Sequence, residues 1–513
     1  MSDPTPPSWV RTPDGRLEPF DADRIARSLF AAGATINLRD PFLCRELTDG
    51  VVHFLATDGD STPSVGDIAE IVSRTVRELG QPSLARAYEQ RAQVTSVLSN
   101  QPQDEGGQPS LLPQTSRAPN FPDESHLSPP WNAINRVYAP DVWAAHECGL
   151  IELFDRHQPD LLAGTVVRPD TVFDGLQVAG FVAIDGLEYY DGDLATISGL
   201  LSPSSKQTNA PRSTKSDELH SLIYLNLNVP PPSWTEIVEG PLFTPVADAD
   251  RTTLRLRAVE RLAIISAPCE WHVGESDLSV EGILERVASL AIEAGRPIAF
   301  PFDRPRRPVV LGGGLNRQHT AIVSRVGVNL IALAEQPGML ADEDRYCQRL
   351  GSLARLAVSA AVQKREHLRH QNRRAITDGF RLDRARFVAV ALGLDEVVRR
   401  FTGWSMANGG PSLNLGRRIS QRLVEVLRQD GRALQLETFV DGLSPDAPAA
   451  SIRGQIQAAG TLHAIAEGGT LRLHLPHDSE ITGDLLADEL RRAWRETAVG
   501  RVELVRTTGE RRD

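Results

Sequence analysis

At 513 residues, with 41% apolar and 24% charged side chains, the chain is too long for one ordinary core, and two or three domains are expected. Sixty-seven acidic against 55 basic residues leave a formal charge of −12, which argues against broad binding to nucleic acid or to an anionic membrane. No apolar run reaches the length of a membrane span, the polar start is no secretory signal, and Cys44, Cys148, Cys269 and Cys347 stand singly, so a cytoplasmic chain without disulfides or a zinc ribbon is expected.

Residues 1–8 form a Pro-rich tail. Behind it, Trp9-Val10-Arg11 and residues 16–20 flank Pro13-Asp14-Gly15, where Pro fixes φ and Gly is free to take φ > 0; the pattern predicts a hairpin. Asp21 is placed to cap a helix carrying Ile25, Leu29 and Phe30 at helical spacing, with Gly33 as its stop. This corner holds Arg11 and Arg24, and a helix N-terminus beside two guanidinium groups suits a polyphosphate. Asp40-Pro41 opens a second helix with Phe42, Leu47, Val51 and Leu55 on its inner face. Ser64-x-x-Asp67 is a capping box for a third, which Gly80 ends, and Ser83 caps a fourth. From 97 to 130 Gln, Pro, Ser and Gly dominate, as in a flexible linker. Over residues 131–505, helical stretches such as 281–294 and 353–369 alternate with short Val/Ile/Leu-rich strands such as 389–392, which predicts an α/β architecture built as a barrel. The basic run 364–370 continues the alanine-rich helix, where cations suit the C-terminal dipole, and is read as a helix end.

Val10-Arg11, Asp14-Gly15, Glu18-Pro19-Phe20-Asp21 and Arg24-Ile25 resemble the opening of the ATP-cone, the nucleotide-sensing domain in front of many ribonucleotide reductases. The resemblance runs to residue 96, ending in Leu84-Ala85-Arg86-Ala87-Tyr88-Glu89, and delimits a mainly helical cone over 8–96. It implies ATP or dATP, with Mg²⁺, as an effector held by Val10, Arg11, Asp14, Gly15, Arg24 and Ser64, although Ser64 is also explained as a helix cap. Thr12-Pro13 stands where a second basic residue is usual, and Ala69 where some members carry His.

Three further segments resemble the body of the anaerobic (class III) ribonucleotide reductases, which are glycyl-radical enzymes. These are Ala144-Ala145-His146-Glu147-Cys148-Gly149-Leu150-Ile151-Glu152-Leu153-Phe154-Asp155; Val328-Asn329-Leu330-Ile331-Ala332-Leu333-Ala334, followed by a helix and Lys364; and Val390-Ala391-Leu392-Gly393-Leu394-Asp395-Glu396 with Phe401-Thr402-Gly403. The departures bear on activity. Glu152 and Phe154 replace both family histidines, and residues 300–328, where the family carries its thiyl cysteine, contain no cysteine but include Gly312-Gly313-Gly314. No four-cysteine site or Arg-Val-x-Gly-Tyr loop follows Gly468-Gly469. The resemblance thus implies a pseudoenzyme that binds nucleotide in a regulatory or scaffold role, needs no radical cofactor, and meets a protein partner or a second copy through its cone. The alternatives are a reductase completed by a partner chain and a nucleotide-sensing transcriptional regulator.

No catalytic or metal-binding residue is nominated. His146 and Cys148 are two ligands without a second pair. Gly312-Gly313-Gly314 lacks the Gly-Lys-Ser/Thr ending of a P-loop and reads as a loop or barrel kink. Asn226-Leu227-Asn228-Val229-Pro230-Pro231-Pro232 reads as a strand entering a rigid Pro turn, and Cys269, Trp271 and His272 sit on a strand with no acid/base partner assignable.

Overall fold

The computed structural model describes residues 6–58, 62–99, 137–168, 178–186, 190–192, 222–227, 243–245, 251–264, 268–279, 282–293, 298–371, 376, 381–475 and 481–506. They belong to two compact units, Met1–Cys148 and Gly149–Asp513. Most of the 97–130 linker expectation lies outside the described residues, as do residues 1–5 of the Pro-rich tail and 228–232 of the Pro turn.

In the first unit β1 (Trp9–Arg11) and β2 (Leu17–Pro19) pair antiparallel, Val10 opposite Glu18 and Arg11 opposite Leu17, around a turn that Gly15 makes at φ 83°. The Asp21 carboxylate caps α1 (Ala22–Thr35) by accepting from the Asp23 amide. Gly33 does not stop this helix. It lies buried inside α1 because the returning chain donates the Leu38 amide to its carbonyl at 2.9 Å, and a Cβ there would strike the Leu38 oxygen at 2.5 Å. After α2 (Pro41–Asp58), the Ser64–Asp67 capping box opens α3 (Val65–Glu78), and Gly80 turns the chain at φ 83° beyond its end. α4 (Pro82–Ser99) begins at Pro82, so Ser83 lies inside the helix instead of capping it: proline's fixed φ and missing N–H suit the first position. Leu29, Leu47, Val51, Val72 and Leu84 share one core, against which α5 (Pro140–Glu147) packs Ala144.

In the second unit, five parallel strands, β4 (Leu162–Val167), β5 (Ala179–Asp185), β7 (Leu222–Leu227), β9 (Cys269–Trp271) and β10 (Ile298–Pro301), form one half of a large sheet. A second five run against them: β11 (Ala321–Asn329), β12 (Arg386–Leu392), β13 (Thr438–Asp441), β14 (Thr470–Leu475) and β15 (Arg501–Arg506). The Thr470 amide and hydroxyl donate to Asp441 at 2.8 and 3.1 Å, drawing β13 and β14 together and nearly closing the barrel. β3 (Ile151–Leu153) adds to β11, while β6 (Tyr190–Gly192) and β8 (Phe243–Pro245) pair separately. The connecting helices are α6 (Arg251–Ile264), α7 (Glu275–Ser279), α8 (Ile283–Glu293), α9 (Leu330–Ala334), α10 (Glu343–His370), α11 (Leu394–Thr402), α12 (Gly410–Ala433), α13 (Ile452–Ala466) and α14 (Gly483–Glu496).

Strand alternation separates two environments. Outward-facing Val182, Ile184, Leu225, Leu227, Cys269 and Trp271 pack with Leu284 and Val287 of α8 and Leu486 and Leu490 of α14. Inward, Phe181 of β5, Val388 of β12 and Phe439 of β13 all meet Val309–Leu315, the loop between β10 and β11. A segment that touches strands from both antiparallel halves threads the barrel's interior. Its tip is the short 3₁₀ turn Gly312–Gly314, where a Cβ on Gly313 would stand 2.3 Å from Phe181 and one on Gly314 3.0 Å from Val388.

His463 of α13 is fully buried, and burial pushes its pKa down from 6.5 to about 4; burial likewise drives His272 well down. Between these values the unfolded chain takes up protons that the native imidazoles refuse. Stability is therefore full above about pH 6.5 and falls as the pH drops toward 4. The urea midpoint is expected to decline already between pH 6.5 and 5, before ordinary carboxylates titrate; a flat profile there would contradict a neutral buried His463.

Candidate functional site

The corner expected to hold nucleotide is assembled in the first unit by the hairpin and the starts of α1 and α3. The Arg11 amide donates to the Pro63 carbonyl at 2.9 Å and Arg11 forms a lone bridge with Ser64, which brings β1 to the capping box. Ser64 accepts from the Asp67 amide at 3.1 Å and donates its hydroxyl to Asp67 at 2.8 Å. The Asp67 carboxyl is held low, chiefly by the Ser64 backbone amide, which donates to it at 2.9 Å, then by the Ser64 hydroxyl and further by the Arg11 charge. The Arg24 Nη1 meets Glu18 Oε2 at 2.9 Å, both groups largely exposed. Asp14 and Gly15 form the exposed turn, where a hydrogen bond from Thr12, assisted by the Arg16 charge, holds the Asp14 carboxyl low.

Register decides which of these residues share a face. Val10 lies opposite Glu18, so Arg24, bound to Glu18, belongs to that face; Arg11 lies opposite Leu17 and leaves by the other, toward Asp67. The two arginines expected at one corner thus have different neighbours, Glu18 for Arg24 and Asp67 for Arg11. Ser64 and Asp67 keep Arg11 company, while Val10 stands beside Arg24. Glu18, quoted in the motif but not assigned a role, is the residue that orients Arg24; its position in a period-two strand was the available signal. Arg27, one turn further along α1, is held by Asp21 at 2.9 Å and by the Asp23 carbonyl at 3.1 Å.

Side chains of the segments that resemble a reductase make local contacts. Asn329 caps α9 by accepting from the Ile331 and Ala332 amides, each at 3.1 Å, and donates to the Gly149 carbonyl at 2.8 Å. Glu152 is exposed on β3, and Arg325 stands 5.3 Å from the Phe154 ring. His146 makes an edge contact with Trp143 at 5.2 Å, Cys148 is exposed, and no metal-binding cluster occurs among the described residues. The barrel interior holds what sequence reasoning missed: Glu270, between the noted Cys269 and Trp271, is fully buried, accepts from Arg501 Nε at 2.7 Å and from the Gly312 amide at 3.2 Å. No helix among the described residues is long and apolar enough to cross a membrane.

A family model described as the ATP cone domain matches residues 9–92. No curated protein sequence matches the chain. Among solved structures, an anaerobic ribonucleotide reductase from Thermotoga maritima with citrate in its active site is similar with a TM-score of 0.50 at 11% identity, over 73% of this chain and 87% of that one. The same enzyme in complex with dATP and CTP is similar with a TM-score of 0.46 at 10% identity, over 73% and 81% of the two chains. A glycyl radical enzyme from Archaeoglobus fulgidus reaches 0.33 at 11% identity, over 56% and 51%. The chain therefore combines an ATP-cone match at its N-terminus with a mixed α/β, nearly closed barrel of the fold seen in anaerobic ribonucleotide reductase, at low sequence identity.

Proposed function

We propose that this is a cytoplasmic, nucleotide-responsive regulatory or scaffold protein. Its cone takes ATP or dATP with Mg²⁺, and its barrel keeps a reductase-like fold without reductase chemistry. The observation that carries this reading is the loop inside the barrel. Abstraction of hydrogen by a thiyl radical needs a sulfur there, and residues 300–328 hold none. The tip is instead three glycines, with Phe181 and Val388 occupying the space a side chain would need. Glu152 and Phe154, in place of histidines, support the same reading. On the nucleotide side, Arg24 on Glu18 and the capped α1 supply a cation and an N-terminal dipole for phosphate. A protein partner or a second copy engages the cone, and the chain's acidity disfavours nucleic acid.

Two measurements on the full chain test the proposal. Calorimetric titration with ATP or dATP in the presence of Mg²⁺ is expected to show saturable heat for at least one of them. An anaerobic assay for nucleotide reduction, run with any co-purifying subunit, is expected to yield no deoxyribonucleotide. Absence of heat with both nucleotides overturns the regulatory half, and a deoxyribonucleotide product overturns the pseudoenzyme half.

A further inference from the structure

Asp185, Asn226 and Glu270 are Cα partners on β5, β7 and β9, so their side chains form one row on the inner wall of the barrel. All three are buried, Asn226 and Glu270 completely. Asn226 donates its side-chain amide to Asp185, and its Oδ1 has no hydrogen-bond partner. An amide carries its oxygen and nitrogen on opposite sides. The nitrogen is turned to Asp185, and the Cα partner on the other side is Glu270, itself an acceptor toward Arg501 and the Gly312 amide. Turning the amide over only moves the conflict to Asp185. In either orientation the amide oxygen faces a carboxyl group, which offers it no donor while ionised.

The neighbouring cations do not supply it. Arg317 lies 3.3 Å from Asp303 and 3.9 Å from Asp185, and Arg501 is engaged by Glu270 at 2.7 Å and Glu503 at 3.0 Å. Among the described residues, the buried Asp185 and Glu270 thus share their guanidinium partners with the more exposed Asp303 and Glu503. Burial raises the Asp185 and Glu270 carboxyls, the response expected of anions short of a counter-charge. A buried acceptor left unmatched is costly and calls for a partner.

We propose that the inner wall at Asp185, Asn226 and Glu270 is a binding site for a protonated amine, whose N–H groups satisfy the Asn226 oxygen and whose charge offsets the paired carboxylates. The inference is independent of the nucleotide reading of the cone. Charge alone would admit any small cation, but the unmatched acceptor selects one that donates hydrogen bonds. Methylammonium and tetramethylammonium separate the two requirements, since they share a charge and differ in donors.

The test is thermal unfolding of the full chain at constant ionic strength with increasing methylammonium chloride. A saturable rise in Tm, about 2 °C at tenfold excess over the dissociation constant, is expected, with none from tetramethylammonium. Asp185→Asn places a second amide in the row, satisfies the acceptor internally and is expected to abolish the methylammonium response while the variant remains folded. Two results overturn the proposal: equal shifts from both cations, or no shift from methylammonium in the parent chain, which leaves a trapped proton or water as the missing donor. Retention of the response by Asp185→Asn also overturns it, by placing the amine elsewhere. Should Asp185→Asn fail to fold, Asn226→Leu, which removes the unmatched acceptor, is expected to lose the same response.

Discussion

Arg24→Ala is expected to weaken binding of ATP or dATP to the full chain about ten- to hundredfold, because one charge-assisted hydrogen bond to phosphate is worth about 1.5–3 kcal/mol. Its fold should be nearly untouched. Arg24 is 65% exposed and its partner Glu18 is 49% exposed, and an ion pair of that kind contributes about 0–1 kcal/mol. Arg11→Ala removes a cation beside Ser64 and Asp67. With no partner in common, the two substitutions are expected to combine additively, the double variant falling by the product of the single factors. Arg27 lies on the same helix, but Asp21 and the Asp23 carbonyl already hold its guanidinium, so Arg27→Ala should change affinity by less than about threefold. Calorimetry on the three variants decides. Equal, unchanged affinities for Arg24→Ala and Arg27→Ala would place the ligand away from this corner.

The cone was readable because its signals are local. Pro13-Asp14-Gly15 dictates a turn, Asp21 and the Ser64–Asp67 box dictate where helices begin, and the apolar spacing dictates which faces meet. Even there, two local rules gave way to packing: Gly33 serves the close approach of Leu38, and Pro82 displaces Ser83 from the helix start. The barrel was legible chiefly through resemblance, because parallel strands joined by long connections leave little trace of their order. Whether Arg11 and Arg24 meet was not legible in the sequence for a finer reason: neighbouring elements are not neighbouring faces, and a one-residue difference in a strand reverses the side. The interior row was invisible for the same reason, at longer range. Asp185 and Asn226 are 41 positions apart, and only the register of the sheet places them side by side with Glu270.

Lys364 resembles a family position by sequence, and in the structure it is held in an ion pair. The side chain is fully buried on α10 and its ammonium bonds to Asp155, which follows β3 and is also approached by the Ser324 hydroxyl at 3.4 Å. The pair fastens a 28-residue helix to the corner where β3 joins β11. Lys364→Met is therefore expected to lower the unfolding free energy by about 3–5 kcal/mol, since it leaves a nearly buried carboxylate without its counter-ion. Asp155→Leu alone should be costly too, for it strands an ammonium whose pKa burial already draws down to about 7. The double variant is expected to recover most of the loss, because two apolar side chains replace two mutually dependent charges. Urea unfolding of all three gives the coupling directly. Independent, additive losses would mean that Lys364 is retained for something other than its bond to Asp155.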